Sequence, residues 1–66
     1  MNLSPRFLIS VLENHGFVLK RSKGSHHLFY NAQTNKTVVV PVHAKDLKKG
    51  TFFAILKQAG IDKNTI

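Results

Sequence analysis

The first apolar stripe lies close to the start of the chain. Its members recur at three- and four-residue spacings, as on one side of an amphipathic helix: Phe7, Leu8, Ile9, Val11 and Leu12. Ser4 can cap the helix and Pro5 suits its first position. Gly16 suits the left-handed conformation that follows a helix. The pattern predicts a short helix that ends at about residue 14.

A second apolar stripe lies near the end of the chain. It follows the i, i+3, i+4, i+7 spacing of a helix and comprises Phe52, Ile55, Leu56 and Ala59. Thr51 can cap this helix and Gly60 can end it. The tail from Ile61 to Ile66 is expected to pack through Ile61 and then fray.

Between the stripes the pattern changes to that of strands. Alternation and β-branched residues predict strands at Phe17–Ser22, Ser25–Tyr30 and Thr37–Val40. Lys23-Gly24 is a tight-turn signal, and the segment from Asn31 to Asn35 is typical of a hairpin loop. Three short strands joined in this way indicate an antiparallel meander.

The predicted order is therefore α-β-β-β-α, an α+β fold within a single domain over residues 1–66. Two amphipathic helices must bury their stripes, and one face of the sheet is the only large apolar surface available. The other face of the three-stranded antiparallel sheet then stays open. We expect the basic turn Lys20–Lys23 and the basic loop Lys45–Lys49 to flank that open face.

Charge indicates the class of partner. Ten Lys and Arg against three Asp and Glu give the 66-residue chain a net charge of +7, which favours a polyanionic partner such as nucleic acid. No apolar run reaches the roughly 18 residues of a membrane span. Cysteine is absent, which fits a reducing cytoplasm.

The segment Gly24-Ser25-His26-His27 is the strongest candidate for chemistry. Glycine allows close approach of the backbone to a phosphate, serine brings a hydroxyl, and imidazole exchanges protons near neutral pH. Adjacent residues of a strand point to opposite faces, so the two histidines address different surfaces unless a bulge intervenes. If Phe29 is in the core, His26 lies on the open face; if Leu28 is in the core, His27 does.

The sequence lacks the residue sets that several classes of hydrolase require. Mg²⁺ sites need clustered carboxylates, whereas Glu13, Asp46 and Asp62 are far apart in sequence. Zinc-ligand spacing and a nucleophile elbow are also missing. Metal-free cleavage of RNA remains possible with the residues present, because RNA itself supplies the nucleophile, the ribose 2′-hydroxyl. It needs a base, cations for the phosphate and an acid or water, and we expect no cofactor.

Three segments together resemble the HicA toxin family: Gly16 to His27, Val39-Val-Pro-Val-His43, and Gly50 to Ile61. The resemblance implies a fold like that of double-stranded-RNA-binding domains. It further implies an mRNA-cleaving toxin of a type II toxin–antitoxin pair, with a HicB-type antitoxin as partner. The family's essential histidine follows Gly-Ser and maps to His26. Some members place it one residue later, which keeps His27 a candidate.

On this basis we expect His26 to accept the 2′-hydroxyl proton. His27, His43 or water would protonate the leaving oxygen. The remaining candidate RNA-binding residues are Lys20, Lys23, Gly24, Ser25, His43, Lys45 and Lys48.

The free chain is expected to be a monomer, because no large exposed apolar stripe remains once the core is assigned. It would form a hetero-oligomer with its antitoxin. Two other functions stay open: a non-catalytic RNA-binding module of the same fold, and a DNA-binding regulator. The second lacks the paired, turn-linked helices of a helix-turn-helix.

Overall fold

The helices and strands follow the predicted order. The computed structural model describes residues 1–43 and 45–66. Its elements are α1 (Pro5–Asn14), β1 (Val18–Lys23), β2 (His26–Asn31), β3 (Lys36–Pro41), α2 (Lys49–Ala59) and a short 3₁₀ helix (Lys63–Thr65). The α+β class and the α-β-β-β-α order are therefore confirmed, as expected of a domain similar to those that bind double-stranded RNA.

The sheet is an antiparallel meander with β2 in the centre. Its pairing with β3 is regular, from His26 opposite Pro41 to Asn31 opposite Lys36. Pairing with β1 shifts register between Leu19 and Arg21, so β1 carries a bulge there. The regular side of β2 fixes which side chains share a face, since alternate residues point the same way.

One hydrophobic core lies between the helices and one face of the sheet. Phe29, Val38 and Val40 come from the sheet, and each is at most 2% exposed. The helices cover them with both predicted stripes, whose buried members are Leu8, Val11, Leu12, Phe52, Ile55, Leu56 and Ala59. Burial of Phe29 answers the question that alternation left open: His26 lies on the open face and His27 faces the helices.

The ends of α1 are as predicted. The Ser4 hydroxyl accepts a hydrogen bond from the Phe7 amide at 3.1 Å, and Pro5 opens the helix. After α1, Gly16 has a φ of 92°, a left-handed conformation that a side chain would strain. The sequence was sufficient to predict both ends of α1, because the groups that begin and end this helix are its neighbours in sequence.

The start of α2 differs from the prediction. The helix begins at Lys49, so Thr51 lies inside its first turn and is not the cap. The structural N-cap is Lys48, with no side-chain hydrogen bond. The reason lies just upstream, where the Leu47 amide donates to the Leu3 carbonyl at 2.8 Å and the Leu47 side chain is buried. That anchor lets the helix start directly after it.

The C-terminal tail is more ordered than predicted. Ile61 is buried as expected, but the chain then forms the 3₁₀ helix instead of fraying. The Asp62 carboxylate caps it by accepting from the Asn64 amide at 2.9 Å. This local bond stabilises the turn that composition alone did not indicate. In the described part of the chain, no helix is long and apolar enough to cross a bilayer.

Candidate active site

The two adjacent histidines lie on opposite sides of the sheet. His27 pairs with Ser22 and with the fully buried Val40, so it shares the helix-covered side. His26 pairs with Lys23 and Pro41 on the other side. Because β2 pairs regularly with β3 through this stretch, no bulge brings the two rings together. They belong to two separate surfaces.

His27 is half-buried in a groove of about 470 Å³, which we call the helix-side groove. The groove runs between the first turn of α1 and the segment that follows β3. Its lining side chains are Ser4, Pro5, Arg6, Ile9, His27, Val42 and Lys45. The groove therefore combines one imidazole, two cations and several apolar side chains. Such a set can hold a phosphate beside a proton acceptor.

The loop after β3 is held at both ends, which positions Lys45. The Val42 amide donates to the Ser25 carbonyl at 2.7 Å and extends the pairing of β3 with β2. At the other end, Leu47 is tied to Leu3 and buried. Ala44, also in this loop, lies outside the described residues. Between these two anchors, Lys45 lines the groove together with His27 and the first turn of α1.

Arg6 is a groove residue that the sequence analysis did not single out. It lies in the first turn of α1, where no acidic residue is present. A cation there is electrostatically unfavourable, because the backbone amides already make this end of a helix positive. The position of Arg6 in the groove could not be read from the sequence, because it depends on how α1 packs against the sheet.

The opposite side of the sheet is open, and we call it the open face. The register assigns to it Val18, Arg21, Lys23, His26, Leu28, Tyr30, Thr37, Val39 and Pro41. His26 is exposed there and lines a hollow of about 330 Å³ with Arg21, Lys23, Leu28 and Val39. The open face is thus broad and shallow, with apolar side chains beside cations.

The predicted basic segments do not flank a common face. Lys20 and Lys23 lie on the open face, whereas Lys45 lines the helix-side groove. The expectation that both basic segments border the open face is therefore wrong for Lys45. Burial of Leu47 is the physical reason, since it draws the loop toward the helices.

The other candidate residues have peripheral positions. Gly24 has a φ of 57° in the turn between β1 and β2, and the Ser25 carbonyl is engaged by Val42. Lys48 is exposed at the start of α2. His43 is exposed beyond β3 and is not among the described side chains that line the groove. The arrangement does not bring His43 into the groove with His27.

Two further surface properties concern metal ions and apolar partners: the absence of a metal-binding cluster among the described residues and the exposure of aliphatic side chains. Among residues 1–43 and 45–66, no group of three or more His, Cys, Asp or Glu side chains is arranged to hold a metal ion. The sheet also leaves aliphatic side chains in solvent: Val18 is 55%, Leu19 50% and Val39 42% exposed. The exposed apolar surface is thus larger on β1 and the open face than the sequence analysis expected.

Comparison with known proteins finds one family whose sequence pattern matches most of the chain. A family model described as the HicA toxin of bacterial toxin–antitoxin systems matches residues 6–61. A search among curated proteins finds no match. The matched segment contains all five elements of the α-β-β-β-α order apart from Pro5, and it includes Arg6, His27 and Lys45.

Proposed function

The chain belongs to the HicA family, the toxins of bacterial toxin–antitoxin pairs, and we propose that it is a metal-independent endoribonuclease that cleaves mRNA with His27 as its base. One observation carries the proposal: His27, Arg6 and Lys45 line the same groove. The three side chains supply what cleavage of RNA through its 2′-hydroxyl requires, a proton acceptor and cations around a phosphate.

In the proposed reaction, neutral His27 takes the proton of a ribose 2′-hydroxyl. The 2′-oxygen bonds to the adjacent phosphorus as the bond from phosphorus to the 5′-oxygen breaks. The products are a 2′,3′-cyclic phosphate and a 5′-hydroxyl end, whose proton comes from water. Arg6 and Lys45 stabilise the negative charge that accumulates on the phosphorane oxygens. DNA lacks the attacking hydroxyl and is not cleaved.

The surroundings of the two histidines favour His27 over His26. A general base must be held within reach of one proton, and a side chain framed by rigid elements is held best. His27 is half-buried, between α1 and a loop anchored at Ser25 and Leu47. His26 is exposed on a shallow face. The family's usual position after Gly-Ser would select His26, so the groove argues for the later position that some members use.

The toxin has an antitoxin partner, as its family implies. We propose a HicB-type protein that covers the helix-side groove and so blocks access of RNA to His27. Since the substrate is mRNA, the proposed place of action is the cytoplasm.

The proposal is tested by incubating labelled mRNA with the purified chain in EDTA. We expect cleavage that leaves cyclic phosphate ends, no cleavage of DNA of the same sequence, and a loss of at least about 100-fold in His27→Gln. His15→Gln is the matched control, because His15 lies at the end of α1, away from both surfaces. Circular dichroism checks that both variants fold.

Each other result contradicts a defined part of the proposal. Cleavage that requires added Mg²⁺ contradicts metal independence. Full activity in folded His27→Gln contradicts the assigned base. If the wild type binds RNA and never cleaves it, the chain is a non-catalytic RNA-binding module and the enzymatic proposal fails.

A further inference from the structure

The open face carries cations that the proposed cleavage reaction does not use. Lys20, Arg21 and Lys23 all come from β1, one of the two edge strands, every residue of which is exposed. Between residues 18 and 41, which span the three strands, the sequence contains no Asp or Glu. This positive charge therefore has no acidic neighbour within the sheet, which makes it available to a polyanion.

Tyr30 provides a fixed aromatic surface beside these cations. Its hydroxyl donates to the Asn35 side-chain oxygen at 2.8 Å. The Lys20 ammonium lies 5.6 Å from the ring centroid, a cation–π distance. The ring is thus held at its outer end and is half-buried. An aromatic ring beside cations is the combination with which proteins stack a base and bind its phosphate.

Two hollows continue from this ring across the sheet. The first, of about 350 Å³, is lined by Lys20, Arg21, Leu28, Tyr30 and Thr37. The second, of about 330 Å³, is the one that His26 lines, and both hollows share Arg21 and Leu28. They form a continuous shallow path from Tyr30 toward the start of β2.

The path ends on β2 beside the residue that lines the helix-side groove on the opposite face of the sheet. Its far end is at His26, whose neighbour His27 lines the groove on the other side of the sheet. The Cα atoms of neighbouring residues are only about 3.8 Å apart, so both histidines lie at the same end of β2, one on each face of the sheet. An RNA strand whose phosphate lies at His27 and that continues around this end of the sheet meets Lys23, which pairs with His26, and then Arg21 in the same hollow.

We propose that the open face is a second RNA-binding site, which holds single-stranded nucleotides beyond the scissile phosphate with a base stacked on Tyr30. This inference rests on the proposed ribonuclease function. The contacts are to phosphates and to the face of a base, so the site discriminates little among sequences. It increases the affinity for long RNA over short RNA.

The test is the affinity of labelled 2′-O-methyl oligo-uridine, which has no free 2′-hydroxyl and is not cleaved whichever histidine is the base. Oligomers of about four and about twelve nucleotides fall within the usual range of single-strand sites. We expect the wild type to bind the longer one at least tenfold more tightly. Tyr30→Leu should remove roughly tenfold of that gain, and Arg21→Gln should lower the salt dependence by about 0.7 in log–log slope.

Lys57→Gln is the matched control, since it removes one charge from the last turn of α2, on the helix side of the sheet. It should change neither the gain nor the slope. Tyr30→Phe keeps the ring and loses only the bond to Asn35, so it should retain most of the gain, which separates stacking from loss of structure.

The possible failures are distinguishable. If Tyr30→Leu and Arg21→Gln bind the longer oligomer as the wild type does, the second site is wrong, and the cleavage assay still decides the proposed function. If the variants keep their affinity for RNA and lose binding of the antitoxin, the open face is a protein interface and the inference is overturned. If the wild type shows neither binding nor cleavage, both proposals fail.

Discussion

The two sides of the sheet differ in how firmly their residues are held. On the helix side, His27 lies in a concave groove between α1 and a loop tied down by backbone hydrogen bonds at Ser25 and Leu3. On the open side, His26 lies on a shallow surface of exposed cations and aliphatic residues. Two identical side chains, adjacent in sequence, thereby have surroundings suited to different tasks. A framed groove suits proton transfer, and a broad basic surface suits binding.

This difference shows that a candidate motif has to be interpreted together with the elements that surround it. The Gly-Ser-His-His string contains no information on which imidazole lies in a groove framed by other elements. That depends on α1 and the loop after β3, which are far from the string in sequence and bring Arg6 and Lys45 to the groove that His27 lines. Substitutions on one side of the sheet should therefore disturb that side selectively.

Leu47→Ala should disturb the helix side most. The side chain is 7% exposed and anchors the loop that bears Lys45. Truncation of a buried leucine to alanine lowers the free energy of unfolding by about 3 kcal/mol. Urea denaturation measures this loss. Leu47→Val should cost about 1 kcal/mol and leave enough folded protein for cleavage assays. Lys48→Ala, at the next residue, is the control, and an equal loss there would contradict the anchor.

Asn31→Ala should weaken the core side of β2. Asn31 is 3% exposed. Its side chain donates to the His15 carbonyl at 2.8 Å and accepts from the Gln33 amide at 2.9 Å. Leaving these groups without partners costs about 2 kcal/mol, or roughly 10 °C in Tm for a domain of this size. The exposed neighbour change Gln33→Ala should shift Tm by much less. Equal shifts would show that Asn31 does not join α1 to the sheet.

Lys45→Gln and Arg6→Gln should each lower kcat/KM for mRNA about tenfold, equivalent to about 1.4 kcal/mol, because each removes one cation from the phosphate site. Lys45→Arg keeps the charge and should retain most of the activity. Lys57→Gln, outside the groove, serves as the control for net charge. If all three neutral variants lose activity equally, overall charge and not the groove determines the rate.

Gly24→Ala should have the smallest effect. Its φ of 57° is left-handed, yet a Cβ added there has no heavy atom within 4 Å. The cost is therefore backbone strain alone, about 1 kcal/mol. Gly24→Asn should cost less, because asparagine tolerates this conformation. The measurement is thermal unfolding. If both variants lose well above 1 kcal/mol of the free energy of unfolding, the turn between β1 and β2 has contacts beyond those described.

The sequence predicted what local signals control. Ser4-Pro5 and Gly16 delimited α1, and the apolar stripe of α2 matched its buried residues. The features that it missed depend on contacts between distant residues. Nothing near Leu47 in sequence indicates that it bonds to Leu3, and this contact displaced both the start of α2 and the position of Lys45. Alternation likewise placed His26 and His27 on opposite faces, but only burial of Phe29 shows which face is which.

We propose His27, and not His26, as the base of the reaction. This assignment is tested by single-turnover cleavage of one labelled mRNA, at saturating protein in EDTA, by His27→Gln and His26→Gln side by side. We predict a rate constant at least about 100-fold below wild type for His27→Gln and within a few-fold of wild type for His26→Gln. The reverse order, with His26→Gln inactive and folded His27→Gln active, would contradict the account and move the chemistry to the open face.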